Sequence, residues 1–319
     1  MIYHLTHITS YDYTSPVSLS HHILRLSPRA FEWQQCLKLD LNIHPAPGTT
    51  QSYNDFYGNE TTFVTVEGAH RKFVVSSHSL VDVKPRAYEG LENSMAWNQI
   101  KGFCESGRSG TYESTEALEF LFPTAQITVM PEFREYAKAS FPRDCPVAEA
   151  VMDLTARIHA DFKFDSKATT IATPLDEVFK KRKGVCQDFA QFQIACLRSM
   201  NVPARYVSGY LETDPPPGKP RLTGSDASHA WVSFYAPGQG WVDVDPTNNI
   251  MPTYRHITLA WGRDFHDVSP IRGVILGGGD HSLKVSVDVV RQHKNNSEGD
   301  NNYDASQHIE RSADREGET

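Results

Sequence analysis

The chain has 319 residues, enough for two or three compact units, and carries 39 acidic against 31 basic residues for a formal charge of −8. No dense Lys/Arg block offsets that balance locally, so the electrostatic footprint of a nucleic-acid or anionic-membrane binder is missing. No apolar run approaches the roughly 18 residues of a bilayer span, and the start, MIYHLTHITSYDY, lacks a secretion signal's basic and apolar regions; the expectation is a soluble cytoplasmic protein.

Residues 1–85 read as β structure. Leu37, Leu39, Leu41 and Ile43 alternate with Lys38, Asp40 and Asn42, the period of a half-buried strand. FVTV from Phe63 and FVV from Phe73 continue the pattern, and Pro45, Pro47-Gly48, Gly58-Asn59 and Gly68 supply turn chemistry between runs. Short strands with regular turns predict an N-terminal β-sandwich or barrel-like domain. Over 86–145 the period weakens, and Gly and Pro interrupt short helical candidates such as 114–122, which makes this a connector that begins the next unit.

From 146 the period becomes 3.6. Val147, Val151, Leu154 and Ile158 share one helix face behind Pro146. Thr173-Pro174-Leu175-Asp176 predicts a cap and a helix over 176–183, closed by Gly184 as a left-handed C-cap. Cys186 follows at once and opens a helix that is apolar all round, through Phe189, Phe192, Ile194, Leu197 and Met200. Strands are expected at 204–211, 230–235 and 240–244, the last two joined by Pro237-Gly238-Gln239-Gly240, and again where Leu283, Val285, Val287 and Val289 alternate with polar residues. Helices before strands make 146–290 an α+β unit with a final strand segment. Residues 291–319 hold almost nothing apolar, and a disordered polar tail is expected.

Five cysteines (Cys36, Cys104, Cys145, Cys186 and Cys196) are scattered without a CxxC pair, which suits reduced thiols better than a disulfide framework or zinc cluster. One of them sits where acyl-transfer chemistry would place a nucleophile. Cys186 starts a helix, where free N–H groups and the dipole favour a thiolate. His229 begins a strand, and Asp245 ends the strand paired with it. Counted from the Pro-Gly turn they lie six and five residues out, so a hairpin makes them neighbours, a base beside the group that orients it. Each has an ordinary alternative: a helix-start Cys as a small buried apolar group, Asp245 as opener of an Asp-Pro-Thr turn, His229 as one of 14 histidines. Their order and the turn signals are more specific together than any one alone. Asp188 reads as a carboxylate satisfying first-turn donors, and Trp231 and Trp241 as core aromatics. The run from Gly277 to Gly279 has no following Lys-Ser/Thr and is a turn, not a phosphate loop.

KGVCQDFAQFQIACLRSMNVPARYVSGYL and then SDASHAWVSFYAPGQGWVDVDPTNN resemble the three-block core of the transglutaminase-like superfamily: G-x-C with its helix and strand, H-A-W, and W-x-x-x-D-P-T. HLTHITSYDYTSPVSLSHHILRLSPR is similar to the β region that precedes this core in bacterial members, and HITLAWGRDFHDVSPIRGV to the segment after it, so the resemblance spans roughly residues 1 to 290. It implies a papain-like fold with Cys186 as nucleophile, His229 as general base and acid, and Asp245 orienting His229. The superfamily includes glutamine–amine crosslinkers, peptidases, peptide N-glycanases and catalytically dead members. The sequence has no EF-hand-like loop, and the tryptophan nearest upstream of Cys186 is the distant Trp97, so the oxyanion tryptophan and calcium sites of the animal crosslinkers have no counterpart. The expected oxyanion donors are the Cys186 N–H with the side chain of Gln187, Tyr206 or Tyr210, core packing being the competing role of either tyrosine. The expected function is a cysteine-dependent acyl-transfer enzyme, without metal or cofactor, that attacks a peptide or protein amide and ends in hydrolysis. The alternatives are transfer to an amine, as in a protein-glutamine transglutaminase, and a non-catalytic peptide-binding module.

Overall fold

The computed structural model describes residues 1–106, 112–214 and 228–292. Six strands form the first sheet: β1 (Ile2–Leu24), β2 (Gln34–His44), β3 (Thr49–Asn54), β4 (Glu60–Val83) and, from the far end of the chain, β11 (Ile271–Gly277) and β12 (His281–Arg291). All pairs are antiparallel. At 23 and 24 residues, β1 and β4 far exceed the usual strand. Their pairing slips between Asp12 and Val17 and again between Val17 and Leu19, and bulges of this kind bend a sheet. The bend is large. Phe73 pairs with Tyr11, eleven residues before His22, which would put the His22 and Phe73 rings roughly 36 Å apart on straight strands. They stack with centroids 3.9 Å apart. The sheet is thus folded double around Tyr13, Val17, Leu24, Val64, Val66, Phe73 and Val75, which makes it sandwich-like from a single sheet. Val287 and Val289 fall in β12 beside β1, so the last strands return to the first sheet; Arg291 ends β12, and 293–319 of the expected tail lie outside the described residues.

The second half is α+β. Helices α1 (Ile100–Glu105), α2 (Tyr112–Glu116), α3 (Pro131–Lys138), α4 (Val147–Asp161), α5 (Leu175–Lys181) and α6 (Cys186–Ser199) precede an antiparallel sheet of order β10-β7-β8-β9. Its strands are β7 (Ala204–Leu211), β8 (Ser228–Ala236), β9 (Gly240–Val244) and β10 (His256–Gly262), and α7 (Phe265–Val268) follows. Two short strands, β5 (Lys163–Phe164) and β6 (Lys183–Gly184), pair in parallel beside the start of α6. Every residue of α6 from Asp188 to Ser199 is buried, as its all-round apolarity predicts, with Phe192 packed on Phe133, Phe162 and Phe179. Val147, Val151, Leu154 and Ile158 of α4 are buried in the same core.

One expected cap is corrected. The left-handed residue closing α5 is Arg182, at φ 53°, not Gly184. The Arg182 guanidinium lies 4.2 Å from the Phe179 ring and 4.8 Å from those of Phe162 and Tyr136, contacts that offset the strain of a side chain in that region. Gly184 serves a different purpose: a Cβ there would lie 2.5 Å from an Asp188 carboxylate oxygen.

Arg198 ties the end of α6 to three other segments. Its buried guanidinium donates to the carbonyls of Phe120 (2.9 Å), Phe122 (3.0 Å), Ala204 (3.0 Å) and Arg263 (2.6 Å). Arg198→Met keeps the apolar stem but removes these donors from four carbonyls, so a loss of about 3–5 kcal/mol in chemical denaturation is expected. The two sheets meet where Tyr210, Ile257 and Leu259 pack on Tyr3, Leu5, Val81, Val83, Val287 and Val289. Gln34 reinforces the joint, because its amide donates to the Thr258 carbonyl at 2.7 Å and accepts from the Thr258 N–H at 2.8 Å.

Candidate active site

Cys186 is the first residue of α6, and the first intrahelical bond runs from Phe189 N–H to the Val185 carbonyl. The N–H groups of Cys186, Gln187 and Asp188 therefore have no acceptor one turn back. Asp188 folds over this end, its Oδ2 accepting from the Val185 N–H (2.8 Å) and the Thr169 hydroxyl (2.6 Å). That is the backbone-satisfying role its position suggests. Burial raises its carboxyl above the usual range, and the two donors oppose the rise.

His229 is the second residue of β8, opposite Gly209 of β7, and Asp245 follows β9 directly, pinned by a backbone bridge to Ile250. The hairpin delivers the expected contact: His229 Nε2 donates to Asp245 Oδ2 at 2.7 Å. The imidazole also hydrogen-bonds the Cys186 side chain, which leaves Nδ1 for the sulfur. Burial alone would lower the His229 pKa. The hydrogen bonds to Asp245 and Cys186 and their negative charge outweigh it and raise the value to about 10. Burial likewise pushes Asp245 up, but hydrogen bonds from His229 and His256 and the positive charge of His229 hold it far below the carboxylate range. The imidazolium thus interacts with a carboxylate and with a sulfur, suited to nucleophilic attack on a carbonyl with proton return to the leaving group.

The two oxygens of Asp245 divide its alternative roles. Oδ1 accepts from the N–H groups of Thr247 (2.9 Å) and Asn248 (3.2 Å) and so opens the Asp-Pro-Thr turn. Oδ2 accepts from His229, from Asn248 Nδ2 (2.7 Å) and from His256 Nε2 (3.0 Å). Sequence reasoning missed His256 and Asn248. Asn248 carried a signal, since it lies three residues past an aspartate that opens a turn. His256 carried none among 14 histidines. It is 1% exposed, burial lowers its pKa, and its Nδ1 has no partner among the described residues, so the ring is neutral with its proton on Nε2. The Trp231 ring packs against both histidines, at 6.1 Å from His229 and 5.1 Å from His256, fully buried as expected of a core aromatic.

The oxyanion candidates separate. Gln187 is half-buried in the first turn beside Cys186. Tyr206 is buried near the sulfur: burial first, then the negative charge of Cys186, Asp188 and Asp264, raise its phenol well above 10. Tyr210 lies elsewhere. Its hydroxyl is 2.7 Å from Nδ1 of His7, in the joint with the first sheet, and it is spoken for there. His229, Asp245 and His256 bring ligand atoms within 4.8 Å of one another. Both imidazole N–H groups are already spent on one carboxylate oxygen, so a cation would have to displace two protons to bind there.

Residues 3–82 match the family model of the bacterial transglutaminase-like N-terminal region, and residues 136–246 that of the transglutaminase-like superfamily. An uncharacterized protein of Mycobacterium tuberculosis is 41% identical over 297 residues, 90% of this chain and 92% of its own. The chain belongs to the transglutaminase-like superfamily. The order of the two matched regions is the one its sequence resemblance implied. A solved structure from Cytophaga hutchinsonii, described as a candidate cysteine protease, has the same papain-like transglutaminase-like fold, with a TM-score of 0.69 at 20% identity over 92% of each chain. A protein-glutamine gamma-glutamyltransferase of Pseudomonas aeruginosa is 32% identical over 126 residues, 34% of this chain and 19% of that one. Membership of this superfamily makes the chain one of a family of cysteine-dependent enzymes.

Proposed function

We propose that this protein attacks the carbonyl of a peptide or protein amide with Cys186 and passes the acyl group mainly to water. The observation that carries this is the 2.7 Å contact of His229 Nε2 with Asp245 Oδ2, with the same imidazole on Cys186 at a helix start. The Cys186 sulfur forms a C–S bond to the carbonyl carbon while the oxyanion is met by the Cys186 N–H, with Gln187 or Tyr206 as second donor. The His229 imidazolium protonates the leaving nitrogen as the C–N bond breaks, leaving a thioester and a free amine. Neutral His229 then takes a proton from water as its oxygen attacks, the C–S bond breaks, and the carboxylic acid leaves with the Cys186–His229 pair restored. Water stands at about 55 M, so an amine wins the thioester only if it is bound at the site, which makes hydrolysis the default.

The test supplies an amide and peptide library with a millimolar labelled primary amine and reads products by mass spectrometry. A Cys186 thioester and mostly acid product are expected. Mostly amine-coupled product would make the protein a transamidase. Product formation equal in Cys186→Ala would end the acyl-transfer reading.

A further inference from the structure

A cleft of about 820 Å³ lies between the segments 29–33 and 86–91 and the sheet that carries His229, and three arginines converge on it: Arg29, Arg86 and Arg205. Arg205 of β7 pairs with Ser233, four residues along β8 from His229, and Asp243 of β9 lies two before Asp245. Strand alternation puts these side chains on the same face as His229 and Asp245. Fully buried Trp231 lies between Asp243 and the histidines. Its Nε1 donates to Asp243 Oδ2 at 3.0 Å on the cleft side, and its ring meets His256 on the other.

The arginines are held rigidly by rings. The Arg205 guanidinium lies 4.3 Å from the Trp241 ring and 3.8 Å from the Trp261 ring, and Arg29 lies 3.4 Å over Trp261. Trp241, expected only as a core aromatic, lines this cleft. Their counter-charges are shared: Asp243 and Glu116 act on Arg205, and Asp55 and Glu116 on Arg29. Asp243 is committed to Arg86 and Trp231, Asp55 pairs with Arg25 at 3.0 Å, and Arg29 donates to the neutral Asn59 at 2.7 Å. Glu32 and Glu116 also line the cleft, and the charge of Glu116 acts on both Arg29 and Arg205, without a close ion pair to either among the described residues. Arg205 is 7% exposed, and the Nε atoms of Arg29, Arg86 and Arg205 are buried without hydrogen-bond partners among the described residues. Burial lowers the pKa of Arg205 to about 9 and of Arg29 to about 10, outweighing the rise that Asp243 and Glu116 give the first and Asp55 and Glu116 the second. Stacked guanidinium faces leave their N–H edges free, a geometry that suits a planar carboxylate.

We propose that this cleft is an anion subsite that takes a carboxylate of the acyl donor, about four residues from the carbonyl that Cys186 attacks; this rests on the acyl-transfer reading. The spacing follows from the register, since four strand residues cover about 14 Å, which an extended peptide spans with the same number. The carboxylate belongs to an acidic side chain or to a free C-terminus.

Glutarate and its neutral analogue glutaramide test the subsite directly, by calorimetry and by tryptophan fluorescence, because Trp241 and Trp261 flank the arginines. Glutarate should bind the full chain at least tenfold more tightly, less so at high salt, and unchanged in Cys186→Ala. Arg29→Gln and Arg205→Gln should each weaken it at least tenfold. If Arg205→Gln does not fold, Arg29→Gln and the comparison on the unaltered chain still decide. Equal binding of the two probes, or undiminished glutarate binding in the arginine variants, overturns the proposal. Library peptides with Glu and an amidated end, against Gln and a free end, show which carboxylate is read, and a preference for neither overturns the link to the acyl donor. Glutarate binding without any Cys186-dependent product would instead overturn the acyl-transfer reading and leave the anion site standing.

Discussion

Cys186→Ala is expected to reduce amide turnover by about 10⁴-fold or more while moving the melting temperature by only a few degrees. The side chain that would form the acyl bond is lost, and no neighbouring group replaces it. Little packing is lost, because Cys186 is small and only half-buried at a helix start. Cys196 provides the reciprocal case. It is fully buried in the core, burial pushes its thiol far up, and Cys196→Ala should lower stability and spare turnover. Iodoacetamide at pH 6 checks the same assignment chemically, and Cys186 should be labelled first. Cys36 is half-buried with a thiol raised by burial and by Glu60, and Cys104, Cys145 and Cys196 are buried. Turnover within tenfold of the parent in Cys186→Ala would sink the assignment.

Asp245→Asn should cost about 10² to 10⁴ in kcat and, more diagnostically, move the alkaline limb of the pH–rate profile. His229 must be protonated to release the leaving amine. Its folded pKa of about 10 stands above the ordinary 6.5, and the Asp245 hydrogen bond and charge are leading causes of the rise. Removing that carboxylate removes them, so the limb should fall from near pH 10 toward neutrality. The same sign governs stability: what the charged His229 contributes is complete below pH 6.5 and is lost as the pH rises through about 10. The amide that replaces the carboxylate still offers an oxygen to the Thr247 and Asn248 N–H groups, so the turn is kept. An unshifted limb would assign Asp245 to the turn alone.

The local signals were the ones legible in the sequence. A 3.6 period found α4 and α6, and counting outward from a Pro-Gly turn brought His229 and Asp245 together. The swap of Arg182 for Gly184 at the end of α5 shows where such counting fails, because any glycine near a helix end looks like a cap. Period two identified strands but could not say that β1 folds back on itself, since the His22–Phe73 stack depends on bulges that leave no pattern. Tyr206 and Tyr210 lie four residues apart on one strand and share a face, yet one sits near Cys186 and the other meets His7. Position along the strand decides, and only the assembled sheets supply it. Arg29, Arg86 and Arg205 come from three distant stretches of chain, so no spacing rule could have gathered them into one cleft.

The seat of the last hairpin on the first strand bears on biosynthesis. Tyr3 pairs with Arg291, 288 positions later, so one edge of β1 leaves the ribosome and waits for its partner while those 288 residues are made. At about 5–20 residues per second that wait is roughly 15–60 s. Throughout it β1 presents an open edge over residues 3–13, the kind of surface on which nascent chains pair wrongly with one another. A gene rearranged so that β11 and β12 precede β1 would close that edge early in translation.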